Sequence, residues 1–94
     1  MTREDIYKKI VHVLKGHGAR KVAIFGSYIR GEEKPESDID IIVDFSQRTS
    51  LLKIVRIERE LSELLGKKVD LLTERSISPY LIDAIKKQMM VLYG

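Results

Sequence analysis

The chain has 94 residues, no cysteine and a formal net charge of +3. That length suits one domain with one modest core, because a chain of this size buries only roughly two-thirds of the surface it exposes when unfolded. A hydrophobic share of 44% against a charged share of 33% excludes a disordered tail, and the missing cysteines exclude disulfides and thiolate metal sites. The start, MTREDIYKKI, lacks a secretory apolar segment, and no apolar run approaches transmembrane length, so a cytoplasmic protein with no membrane partner is expected.

In chain order, Ile6, Ile10, Val13 and Leu14 recur at helical spacing. Thr2 suits the N-cap, Glu4 and Asp5 suit the first turn, and Gly16 and Gly18 end the helix. KVAIF, residues 21–25, is a short β-branched run punctuated by Gly26, which predicts a buried strand. EEKPES, residues 32–37, is polar and contains Pro35, so it reads as a loop. DIDIIVDF, residues 38–45, then alternates: Ile39, Ile41, Val43 and Phe45 take one face, while Asp38, Asp40, Ile42 and Asp44 take the other.

Residues 50–65 carry Leu51, Ile54, Ile57, Leu61, Leu64 and Leu65 at helical period, with Gly66 just beyond. VDLLT, residues 69–73, is a further strand. Ser78 and Pro79 supply an N-cap and a first-turn proline for a helix through about Lys87. MMVLY, residues 89–93, reads as an edge strand or an interface patch. The order predicts an α/β (α+β) domain spanning 1–94, with a small mixed sheet of three to four strands flanked by helices. The second and third strands, joined by a long helix, should be parallel. The first and second are joined too briefly for a crossover helix and should be antiparallel, which brings Gly26 and Ser27 to the same edge as Asp38 and Asp40.

Asp38 and Asp40 project to one face, so their carboxylates lie a few ångströms apart. Two such groups do not stay ionised together at low cost without a cation between them. Mg²⁺ suits them, because it takes hard oxygen ligands from one or two carboxylates and from substrate phosphates. Asp70, on the neighbouring parallel strand, can complete a three-carboxylate cluster. Gly26 allows backbone to approach a ligand closely, and the Ser27 hydroxyl with nearby amides suits phosphate oxygens. Arg30, one helical turn after Ser27, would either add charge to that cradle or brace the loop against an acid. Phosphate donors facing metal-binding carboxylates describe metal-assisted phosphoryl or nucleotidyl transfer.

Gly26-Ser27, ten intervening residues, then Asp38-Ile39-Asp40, with Asp70 on a later strand, resembles the polymerase-β-type nucleotidyltransferase signature. The short length and the wording GSYIRG…SDIDIIVDF resemble the minimal nucleotidyltransferase (MNT) members, which accompany HEPN-domain toxins in toxin–antitoxin pairs. The resemblance covers roughly residues 20–94. It implies the nucleotidyltransferase fold. It also implies two Mg²⁺ ions on Asp38 and Asp40, with Asp70 ligating the ion that activates the acceptor hydroxyl and helping to deprotonate that hydroxyl. Gly26 and Ser27 would hold the β- and γ-phosphates of ATP. AMP would pass to a tyrosine of the HEPN toxin, with which a hetero-oligomer is expected, and no template nucleic acid is expected.

Two alternatives stand beside that expectation: an antitoxin that occludes its partner around a vestigial or sensing nucleotide site, and nucleotidyl transfer to a small molecule. Asp44 reads as a solvated or loop-capping residue. His12 and His17 read as helix-surface residues without metal-ligand spacing, and Lys53, Arg56 and Arg59 as a solvated face.

Overall fold

The computed structural model describes residues 2–26 and 38–94. Helix α1 (Arg3–Gly16) opens on the expected cap: Thr2 Oγ1 accepts from the Asp5 amide at 3.1 Å, and Asp5 Oδ2 accepts from the Thr2 amide at 3.1 Å. The amide and hydroxyl of Thr2, bonded to the Asp5 carboxylate, hold its pKa below the ordinary value. Ile6, Ile10 and Leu14 form the buried stripe of this helix, and Gly18, at φ +90°, turns the chain into the sheet.

Strand β1 (Ala19–Phe25) begins two residues before the apolar run that predicts it. Ala19 pairs with Phe45 and Lys21 with Asp44, so Arg20 is an extra residue taken up by a bulge. A period-2 pattern gives no sign of such an insertion. Strand β2 (Ile39–Phe45) runs antiparallel to β1, as the short connection predicts. Helix α2 (Leu51–Leu65) starts where Ser50 Oγ accepts from the Lys53 amide at 3.2 Å, and ends at left-handed Gly66. Strand β3 (Val69–Thr73) is parallel to β2. A 3₁₀ turn (Glu74–Ser76) and helix α3 (Pro79–Gln88) lead to β4 (Met90–Tyr93), which pairs antiparallel with β1. The tail therefore resolves as an edge strand.

The sheet order is β3-β2-β1-β4. Helices α1 and α2 cover one face of it. There Ile10, Leu14, Ile57 and Leu61 meet Val22, Ile24, Ile39, Ile41 and Val43, each at most 1% exposed. Among the described residues every fully buried side chain is apolar, so burial on this face drives the packing. His17 has a more definite role than a helix-surface residue: its Nε2 lies 3.1 Å from Glu60 Oε2 and ties the end of α1 to α2. Lys53, Arg56 and Arg59 are solvent-exposed, as expected.

Strand β3 lies at an edge, and α2 closes that edge with its own side chains. The outward amide of Val69 donates to Ser62 Oγ at 3.1 Å, and that of Leu71 to Glu58 Oε2 at 2.8 Å. Two backbone donors that would otherwise face solvent or a foreign strand are thereby satisfied. Asp70 stands between these two anchored residues.

Candidate active site

The alternation that buries Ile39, Ile41, Val43 and Phe45 sends Asp40, Ile42 and Asp44 to the opposite face of β2. Register carries that face across the sheet. Phe25 of β1 is paired with Asp40, and Asp40 is paired with Asp70 of β3. Asp40 and Asp70 thus rise at one level from adjacent strands, whose backbones lie about 4.8 Å apart along the hydrogen-bonding direction. Both are half-buried. Asp38 stands just ahead of β2, and Ile39 is anchored by its amide donating to the Lys68 carbonyl at 3.0 Å.

Gly26 closes the other side. Its φ is +84°, a conformation that glycine adopts without penalty. A Cβ placed there would stand 2.5 Å from Asp40 Oδ2. The backbone at the end of β1 therefore lies directly against one catalytic candidate, and only a residue without a side chain leaves that space open.

The Asp38 carboxylate leans towards Lys68, whose Nζ is 3.8 Å from Oδ2. Among the described residues no three acidic or imidazole groups converge into a closed cage. The three aspartates share one end of the sheet, with Asp38 drawn aside by the ammonium. The donor set still suits a hard divalent cation. It consists only of carboxylate oxygens, two at one level on adjacent strands, beside a backbone turn cleared for a phosphate-bearing ligand. Ser27 and Arg30 lie outside the described residues.

The polymerase-β nucleotidyltransferase family model matches residues 8–94. The chain belongs to that family. A Methanocaldococcus jannaschii protein provisionally named a protein adenylyltransferase is 51% identical over 90% of this nucleotidyltransferase and 91% of its own length. The protein adenylyltransferase MntA of Thermococcus cleftensis is 41% identical over 78% of this chain and 74% of its own. Among solved structures, a toxin–antitoxin complex with AMP-PNP superposes with TM-score 0.86 at 29% identity, over 94% of this chain and 73% of that one. A tri-AMPylated Shewanella oneidensis HEPN toxin in complex with an MNT antitoxin superposes with TM-score 0.83 at 25% identity, over 99% and 73%. The expected α/β architecture, a four-stranded mixed sheet with helices, is thus the nucleotidyltransferase fold.

Two residues of this nucleotidyltransferase escaped the sequence reading. Lys68 is one, since a lysine ahead of a strand gives no sign of which acid it will face. Glu58 is the other, since its charge looks like helix surface until β3 is placed beside it. Asp44 is not solvated: Arg20 Nε donates to its Oδ2 at 2.6 Å, and its side chain is only 14% exposed. The bulge that turns Arg20 towards Asp44 explains the difference. Among the described residues, no helix is long and apolar enough to cross a membrane.

Proposed function

We propose that the chain, acting as one minimal nucleotidyltransferase domain over 1–94, is a protein adenylyltransferase. It moves AMP from ATP to a tyrosine hydroxyl of a HEPN-domain toxin and so acts as its antitoxin. The observation that carries this reading is the row Asp40–Asp70 on adjacent strands, with the Gly26 backbone packed on the Asp40 carboxylate. Identity of 51% to a relative provisionally named for this activity, and likeness to an antitoxin seen with its AMPylated toxin, support it.

Asp38, Asp40 and Asp70 would hold two Mg²⁺ ions, which when bound neutralise the triphosphate and favour ionisation of the attacking hydroxyl. Gly26 lets main chain approach the β- and γ-phosphates, with the Ser27 hydroxyl as a further donor and Arg30 as a charged one. A carboxylate oxygen of Asp70 takes the proton from the tyrosine hydroxyl. The phenolic oxygen bonds to the α-phosphorus, the bond from that phosphorus to the bridging oxygen breaks, and pyrophosphate leaves. Placing Asp40 and Asp70 in register on paired strands keeps the reacting groups oriented before substrate arrives. A cysteine-free chain suits a reducing cytoplasm.

The test uses the full chain with a HEPN partner encoded beside it, labelled ATP and Mg²⁺. Label is expected on a partner tyrosine, and Asp38→Ala/Asp40→Ala is expected to abolish it together with rescue from toxicity. Asp70→Asn should still bind ATP while transfer drops at least about a hundredfold, in line with loss of a proton acceptor. Unlabelled partner that is nevertheless silenced by the double variant would replace transfer with occlusion.

A further inference from the structure

At the other end of the sheet from the aspartates, β2 and β3 run out into a cleft of about 460 Å³. Asp40 and Asp44 are four residues apart on β2, so the two ends are separated by about 13 Å. Arg48, Thr49, Arg75 and Ser76 line this cleft, with Ile54 and Phe45 as its apolar wall.

Charge accounting singles it out. Asp44, on the rim, is taken by Arg20 at 2.6 Å. Glu74, next to the rim, is taken by Lys86 at 3.3 Å and Lys21 at 4.0 Å. Among the described residues neither Arg48 nor Arg75 has an acidic partner, so two uncompensated arginines line one cleft. The cleft also borders the start of α2, whose first turn carries no acidic residue to offset the helix dipole. The hydroxyl hydrogens are already committed, Thr49 Oγ1 donating to the Gln47 carbonyl at 3.1 Å and Ser76 Oγ to that of Thr73 at 2.8 Å. The donors left to a ligand are therefore the side chains of Arg48 and Arg75.

We propose that this cleft is a second binding site, separate from the aspartate site, that takes the phosphate group of a small molecule. A guanidinium fork matches phosphate oxygens in pairs, which gives two arginines on one cleft a preference for that anion. The volume lies within the range of small-molecule sites, and Ile54 and Phe45 give an attached ring an apolar surface.

The experiment follows backbone amide resonances of the isotope-labelled full chain during titration with sodium pyrophosphate in EDTA, which removes divalent cations from the aspartates. Amides of Arg48, Thr49, Arg75 and Ser76 are expected to shift saturably. Arg48→Ala/Arg75→Ala should weaken that binding at least about tenfold, the loss expected for hydrogen bonds to charged groups. In the same variant, resonances of Gly26 and Asp40 should respond to Mg-ATP as in the native protein, which separates this site from the proposed transfer reaction. Should the double variant fail to fold, Arg48→Gln and Arg75→Gln separately are each expected to weaken binding about tenfold. AMP binding more tightly than inorganic phosphate would support the site with a nucleotide as source, and equal binding would support it with free phosphate as source. No saturable shift at these amides, unchanged affinity in the variants, or citrate binding as tightly as pyrophosphate would overturn it.

Discussion

Gly26 and Asp40 meet so closely that the glycine cannot gain a side chain unless the carboxylate moves. Alanine at 26 would have to hold φ near +84° and clear an oxygen 2.5 Å from its methyl group. Gly26→Ala is expected to destabilise the fold by about 1–3 kcal/mol, the usual cost of a strained left-handed position. It should also swing the Asp40 carboxylate out of line with Asp70. Urea midpoints would report the first effect and the rate of AMP transfer the second. A variant with native stability and native transfer would show that the contact has no consequence. The Lys68–Asp38 pair is of another kind. The lysine is 72% and the aspartate 42% exposed, so solvent screens the pair; it adds little to stability and matters only for where the carboxylate rests.

At the scale of elements, Glu58 shows how α2 serves the site without touching it. Its carboxylate accepts the Leu71 amide at 2.8 Å, beside Asp70 on the same strand. Glu58→Ala is expected to cost about 1–3 kcal/mol by leaving that donor unmatched, and to loosen β3 at the level of Asp70. Thermal unfolding and amide exchange at Leu71 would measure it; unchanged protection there would refute it. Much of this layer was legible from residue order. The alternation of 38–45 assigned Asp40 to the face opposite Ile39 and Ile41, and VDLLT placed Asp70 on the strand beside it. Thr2, Gly66 and Ser78 marked helix ends through local backbone chemistry that the sequence reveals, whereas the Ser50 cap came only with the structure. What stayed hidden arises between elements. The bulge at Arg20 breaks the period without a sequence mark, and the Glu58–Leu71 and Lys68–Asp38 contacts depend on how a helix and a strand are set side by side.

For the whole molecule, ligand binding should be visible as stability. A chain of 94 residues with one core has little reserve, so a ligand bound only by the folded state shifts unfolding strongly. Mg-ATP at about a hundred times its dissociation constant is expected to stabilise the native chain by about 2.7 kcal/mol. The effect should be much smaller in Asp38→Ala/Asp40→Ala, as scanning calorimetry would register; equal shifts in both would place the nucleotide elsewhere. The pairing of β1 with β2 has one more consequence. A slip of one residue in that ladder would turn Asp40 into the apolar layer beneath α1 and α2, and turn Ile39 and Ile41 out to water. An error that misplaces a carboxylate therefore also destroys the core. The chain cannot persist as a stable fold with a miswired site, so its hydrophobic face proofreads its chemistry.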